Sequence, residues 1–176
     1  MSGLIYSDAN PVIELAKYSK HMHDPARERD LDFLRRILAA ANNMEIDLFT
    51  SSISVAECVA VDGDCGPEVQ KFFIGTLTSG RMFKLVQDSI FIAEQARDLR
   101  WKYDIRLKGA DLIHVASAID AQCTEFLTWD TDISKPKVAD KVRGLEKFGI
   151  SVITPSQTKL LPPLYAEAPS FDWPVN

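Results

Sequence analysis

Acidic residues stand at four widely separated places where a predicted strand ends or a predicted helix begins: Asp8, Glu57, Asp111 and Asp130. Asp8 directly follows the apolar run at residues 4–7, and Asp130 comes shortly after the run at residues 126–128. Strand ends and helix starts meet at the carboxyl edge of a parallel sheet, where such domains bind their ligands. We therefore expect the four carboxylates to meet in one pocket.

Carboxylates that share a pocket repel each other, and one of them must take up a proton unless a cation is present. A hard divalent cation removes this conflict, because Mg²⁺ prefers oxygen ligands and commonly binds through one or two carboxylates and a phosphate. Such a cation polarises a phosphoryl oxygen and activates water for phosphodiester hydrolysis. Each acid alone is more simply explained as a helix cap or a surface charge. Their joint placement favours a metal-dependent phosphodiester hydrolase.

Short apolar runs alternate with segments of helical periodicity along the chain. The runs predict strands at residues 4–7, 47–50, 83–86, 125–128 and 150–153. The helical spacing predicts helices over residues 27–42, 69–77 and 90–102, and further helices that begin after residues 50 and 108. This alternation predicts an α/β domain with a mostly parallel central sheet. We expect residues 1–155 to form the domain and residues 156–176 to form a Pro-rich C-terminal tail.

The composition suits one globular domain, since the 176 residues are 46% hydrophobic and 26% charged. No apolar stretch of about 18 residues is present, so we expect no membrane span. The first residues lack the basic segment of a secretory signal. Three cysteines without a paired spacing indicate a reduced, cytoplasmic protein. The net charge of −5 argues weakly against a general nucleic-acid binder, because an acidic pocket itself lowers the charge.

Four segments resemble, in order and spacing, the motifs of PIN domains such as the VapC-type toxin ribonucleases. Residues 4–13 (LIYSDANPVI) resemble the opening strand and its D-[ST]-N motif, and residues 50–57 (TSSISVAE) resemble the family's S-x-x-[ST]-x-x-E helix start. Residues 109–118 (GADLIHVASA) and 126–132 (FLTWDTD) are similar to the two later acidic motifs. Any one motif is weak, while the ordered set is fairly specific.

The resemblance implies a three-layer α/β/α fold, a Mg²⁺ or Mn²⁺ site and cleavage of single-stranded or structured RNA. It also implies a homodimer and, for toxin members, an antitoxin protein that blocks the pocket. By position, the metal ligands are Asp8, Glu57, Asp111 and Asp130, with Asp132 as a further acid. The supporting residues are Asn10, Ser52, Thr128 and His114. Ala9 stands where the family usually has a hydroxyl, so we expect Ser7 or Ser52 to replace that hydrogen bond.

Some alternatives remain open from the sequence. His114 follows Asp111 by one helical turn and could touch substrate, although a buried histidine with satisfied partners is the simpler interpretation. Trp129 could stack on a base or pack in the core. A haloacid-dehalogenase-like phosphatase needs a second Asp two residues after Asp8, where Asn10 stands. An inactive PIN-like scaffold should have lost acids from the pocket, and all four are present.

Overall fold

The structure of the chain is a computed structural model that describes residues 3–129 and 145–167. Its described strands form one sheet in the order β3-β2-β1-β4-β5, and every neighbouring pair is parallel. The strands are β1 (Leu4–Ser7), β2 (Asp47–Ser51), β3 (Lys84–Val86), β4 (Glu125–Leu127) and β5 (Ser151–Ile153). The predicted parallel sheet is therefore confirmed.

Helices connect these strands. The long ones are α1 (Ala9–Ser19), α2 (Glu28–Asn42), α5 (Ile90–Trp101) and α6 (Gly109–Asp120). The short ones are α3 (Ser52–Glu57), α4 (Pro67–Phe73) with its π-helical continuation Ile74–Thr78, and α7 (Pro163–Ala166). Two 3₁₀ turns, Pro25–Arg27 and Pro155–Gln157, stand before α2 and after β5. None of the helices in the described part of the chain is long and apolar enough to cross a membrane.

Side chains alternate along each strand, so apolar residues point to both faces of the sheet, and helices cover each face. On β1, Ile5 packs into one apolar core together with residues of α1, α2 and α4. Its neighbour Tyr6 packs into a second core together with residues of α5 and α6. On β4, Leu127 and Phe126 divide between the two cores in the same way. This arrangement is a three-layer α/β/α fold, as expected.

Helix α3 is shorter than the sequence predicted. The apolar Val55 and Val59 suggested a helix that continues past Glu57, but the helix ends there and Val59 is 63% exposed. The chain then enters a tight turn, in which Asp62 and Gly63 have φ angles of 47° and 85° and Val61 pairs with Asp64. The helix itself ends because Cys58 has a φ of −82° and a ψ of 67°, a conformation that does not continue a helix, so Glu57 is the last helical residue.

The described part of the predicted tail lies against the domain. Glu125 on β4 accepts hydrogen bonds from Thr158 Oγ1 at 2.5 Å and from Lys159 N at 2.8 Å. Arg36 on α2 donates to the carbonyl oxygen of Tyr165 at 2.7 Å. Residues 155–167 therefore contact α2 and the first residue of β4. The boundary at residue 155 stays a prediction.

Candidate active site

The centre of the sheet contains the point at which the strand order changes direction. From β1 the chain passes to β2 on one side, whereas β4 lies on the other side. Ser7 and Leu127 are register partners, and Asp8 N donates to the carbonyl oxygen of Leu127 at 3.2 Å. Asp8 and Thr128 therefore leave the sheet side by side. In open α/β sheets, the crevice at such a switch point is the usual ligand site.

The Asp8 carboxylate is buried and held in a fixed orientation. Its side chain caps α1, and Oδ1 accepts a hydrogen bond from Asn10 N at 3.1 Å. The hydroxyl of Thr128 donates to Oδ2, and only 4% of Asp8 is exposed. Asn10 contributes its backbone, since its side chain faces solvent. A buried acid with both oxygens paired keeps one geometry, which is a requirement of a ligand site.

Glu57 contacts a buried histidine. The side chain of Glu57 is 39% exposed, and its Oε2 lies 3.0 Å from His114 Nε2. His114 is buried, and its Nδ1 lies 2.8 Å from Tyr6 Oη and 3.2 Å from Ser51 Oγ. Both ring nitrogens of His114 thus have partners within the protein. A direct contact between His114 and substrate, one of the two readings of the sequence, finds no support in this geometry.

The carboxylates of Asp8 and Glu57 act on the same buried thiol. Burial, together with the negative charges of Glu57 and Asp8, raises the pKa of Cys58 to about 12. Burial also raises the pKa of Tyr6 above its ordinary value, with a further increase from Asp8 that the hydroxyl of Ser51 opposes. The charge of Asp8 therefore disfavours ionisation of both Cys58 and Tyr6.

The structure gives the remaining predicted site residues different positions and different partners. Asp111 is the third residue of α6 and lies half-buried in its first turn. Ser52 is tied elsewhere, because its hydroxyl donates to Asp88 Oδ2 at 2.5 Å. The hydroxyl of Ser7 donates to the carbonyl oxygen of Asp8 at 3.0 Å, so neither serine reaches the Asp8 carboxylate. The hydroxyl expected there comes from Thr128.

Trp129 is a packing residue. It is only 8% exposed, and its Nε1 donates to Asp30 Oδ2 at 3.1 Å. The guanidinium of Arg27 lies 5.4 Å from the centroid of the indole ring. Of the two interpretations that the sequence left open, packing is the one that this geometry favours. Little of the indole ring is accessible to a nucleic-acid base.

The chemistry of the donors suits a hard cation. Within residues 3–129 and 145–167, no three His, Cys, Asp or Glu side chains form a group that could hold a metal ion. Asp130 and Asp132 lie outside the described residues. A Mg²⁺ ion needs only one or two carboxylates, and the fixed carboxylate of Asp8 offers oxygen donors. His114 Nε2 contacts Glu57, so this nitrogen is engaged within the protein. The donors proposed for the cation are then carboxylate oxygens, which suit Mg²⁺ or Mn²⁺.

Comparison with known families matches residues 5–139 to the PIN domain. The match covers well over half of the chain, so the protein belongs to the PIN domain family. Family membership indicates nuclease activity in general, and it confirms the resemblance seen in the four motifs. No curated protein and no solved structure matches the chain.

Proposed function

We propose that this protein is a metal-dependent endoribonuclease that hydrolyses phosphodiester bonds of single-stranded or structured RNA. One observation carries the proposal. In a chain of the PIN family, the buried carboxylate of Asp8 stands at the switch point of the parallel sheet, where Thr128 and the start of α1 fix its orientation. Ligands of open α/β sheets bind at the switch point, so a carboxylate held in one orientation there supports a functional role.

The proposed ligands of the cation are Asp8, Glu57, Asp111 and Asp130, with Asp132 as a further acid. A bound Mg²⁺ or Mn²⁺ supplies charge neutralisation for the phosphate and activation of the attacking water. The protein's own contribution is orientation. Thr128 and the backbone of Asn10 fix Asp8, while His114 contacts Glu57. Asp111 adds a negative charge in the first turn of α6.

We also infer that the protein is the toxin of a type II toxin–antitoxin pair and forms a homodimer in the cytoplasm. The support is the likeness of the four motifs to VapC-type ribonucleases. All three cysteines are free thiols, which suits a reducing compartment. Induced expression should arrest growth for the wild-type protein and not for Asp8→Asn. Equal arrest by both proteins would argue against a toxin that acts through this site.

The decisive experiment is cleavage of mixed RNA by the purified protein with Mg²⁺ or Mn²⁺, beside samples with EDTA. We expect cleavage that needs the metal and is lost in Asp8→Asn and in Asp111→Asn. Asp120→Asn is the matched control for Asp111, because Asp120 is exposed at the opposite end of α6. The control should cleave as the wild type does. Undiminished cleavage by Asp8→Asn would show that the proposed site is wrong.

Metal binding separates the nuclease from a PIN-like scaffold. A ligand that binds only the native state raises its apparent stability, so Mn²⁺ should raise the melting temperature of the wild-type protein. The increase should be absent in Asp8→Asn, whose melting temperature without metal stays near that of the wild type. If Mn²⁺ leaves the wild-type melting temperature unchanged, the inactive scaffold becomes the better description.

A further inference from the structure

Three side chains from three elements form one buried line of hydrogen bonds that ends at Glu57. Tyr6 belongs to β1, His114 to α6, and Glu57 is the last residue of α3. Tyr6 Oη lies 2.8 Å from His114 Nδ1, and His114 Nε2 lies 3.0 Å from Glu57 Oε2. Tyr6 and His114 are both buried. The line therefore connects the central strand to a carboxylate of the proposed site.

The chemistry of the end groups determines the direction of these hydrogen bonds. An ionised carboxylate only accepts, so the nitrogen that faces Glu57 must carry hydrogen. In the neutral imidazole the other nitrogen, Nδ1, is then an acceptor. A phenol, with an ordinary pKa of about 10, is protonated at neutral pH and can donate to it. The order is thus Tyr6 to His114 to Glu57, with Ser51 as a second donor 3.2 Å from Nδ1.

The imidazole has little freedom to turn away from this arrangement. Its ring meets the ring of Tyr6 edge to face, with centroids 5.9 Å apart and planes at 64°. Tyr6 in turn stacks on Phe126 of β4 at 5.2 Å. Glu57 lacks such support from its own helix, because α3 has six residues and the carboxylate is 39% exposed. A long side chain at a short helix end has several rotamers unless another group selects one.

We propose that His114 is a positioning residue that holds the Glu57 carboxylate in its cation-binding rotamer, and that Tyr6 fixes the tautomer of His114 that can do so. The proposal rests on the proposed function, since it assigns Glu57 a role in cation binding. It gives His114 and Tyr6 a shared task that neither performs by touching substrate or cation. Outer partners of metal ligands commonly set affinity in this way.

The first test is Mn²⁺ affinity, measured by calorimetry on the whole chain. His114→Ala should weaken Mn²⁺ binding by about 10–100-fold, the usual effect of losing such a partner. His114→Gln should restore most of the affinity, because its amide N–H can still donate to Glu57. Tyr6→Phe should lose less than His114→Ala does, since Ser51 remains as a donor. Equal affinity in all four proteins would overturn the proposal.

Val115→Ala is the matched control for a merely structural effect. Val115 is the next residue of α6, is fully buried in the same core, and has no polar group to offer. Its truncation should lower the melting temperature and leave Mn²⁺ affinity unchanged. If Val115→Ala weakens Mn²⁺ binding as much as His114→Ala does, packing of α6 explains the effect and the positioning role is wrong.

The second test reads the histidine directly and needs no metal. In protein labelled with ¹⁵N histidine, the side-chain shifts of His114 should show hydrogen on Nε2. Glu57→Gln should move the Nε2 shift, and Tyr6→Phe should move the Nδ1 shift. An Nε2 without hydrogen in the wild-type protein would contradict the proposed direction of the hydrogen bonds.

The two tests also separate this inference from the proposed function. If the wild-type protein binds Mn²⁺ and cleaves RNA, and His114→Ala does both equally well, the positioning role is wrong and the proposed nuclease function stands. If the wild-type protein neither binds Mn²⁺ nor cleaves RNA, the proposed function and the positioning role are both wrong, even if the ¹⁵N shifts show the contact between His114 and Glu57. Weaker binding in His114→Ala with rescue by His114→Gln supports both.

Discussion

Replacing Asp30 by alanine should destabilise the fold, because this carboxylate joins α2 to two later parts of the chain. Its Oδ2 accepts from Trp129 Nε1 at 3.1 Å, and its Oδ1 accepts from Thr154 Oγ1 and Ser156 N, each at 2.9 Å. A typical hydrogen bond contributes about 0.5–1.5 kcal/mol net, and one to a charged group contributes more. Because Asp30 is half-buried, we expect a total loss of about 2–4 kcal/mol in the free energy of unfolding.

The loss should depend on pH in a definite direction. Burial acts to raise the pKa of Asp30, but the hydrogen bonds from Ser156, Trp129 and Thr154 outweigh it and hold the pKa below its ordinary value. With a lowered folded-state pKa, the carboxylate contributes its stability above the unfolded pKa of about 3.9. The contribution is lost as pH falls through the folded-state pKa. The difference between wild type and Asp30→Ala is therefore largest near neutral pH and shrinks in acid.

Urea unfolding at neutral pH and at a series of lower pH values measures both effects. Asp30→Asn keeps one acceptor oxygen, so its midpoint should lie between those of wild type and Asp30→Ala. Glu28→Ala is the control, because Glu28 is exposed on the same helix, and its effect should stay within about 0.5 kcal/mol. An unchanged midpoint for Asp30→Ala, or a loss that persists undiminished in acid, would refute the reasoning.

Two further outcomes follow from the structure. In the folded protein a thiol reagent should label Cys65, which is exposed. Cys58 and Cys123 are buried, their pKa values are raised to about 12, and they should react only after unfolding. Equal labelling rates for all three thiols in the native protein would contradict this burial. Asp8→Asn should still accept the hydrogen bond from Asn10 N at the start of α1 and should unfold at nearly the wild-type urea concentration. Asp8→Ala loses this cap, and its free energy of unfolding should fall by about 0.5–2 kcal/mol. A shift of the urea midpoint of equal size in both variants would contradict the capping role.

Much of the fold was predictable because its signals are local. The spacing of Leu31, Leu34, Ile37 and Leu38 identified α2 to within a residue of its observed start, and all four are buried. Gly149 follows the helical turn that begins at Leu145, and its φ of 72° is a conformation that glycine adopts readily. Alternating strands and helices sufficed to predict a parallel sheet. The candidate acid Asp8 was found because a strand end is visible in the sequence.

The contacts within the site were less predictable because they are set by distant packing. Nothing local to Ser52 indicates that its hydroxyl belongs to Asp88, which is 36 residues away. The pairing of Tyr6 with His114 spans 108 residues and depends on β1 packing beneath α6. The alternation of side chains along β1 could have placed Tyr6 on the sheet face that α6 covers, but no sequence pattern identifies His114 as its partner. The roles of Asp130 and Asp132 stay predictions, since both lie outside the described residues.

The pairing of β1 with β4 also bears on how the chain comes together. Asp8 and its donor Thr128 are 120 residues apart, and β1 lacks its second neighbour until β4 exists. At about 5–20 residues per second, ribosomal synthesis of that interval takes roughly 6–24 s. Throughout that time the inner strand has an open edge, a state that invites association with other chains. Asp8 is therefore synthesised early, and the hydroxyl of Thr128 that fixes its carboxylate is added 120 residues later, so a partly synthesised chain contains this acid without its fixed orientation.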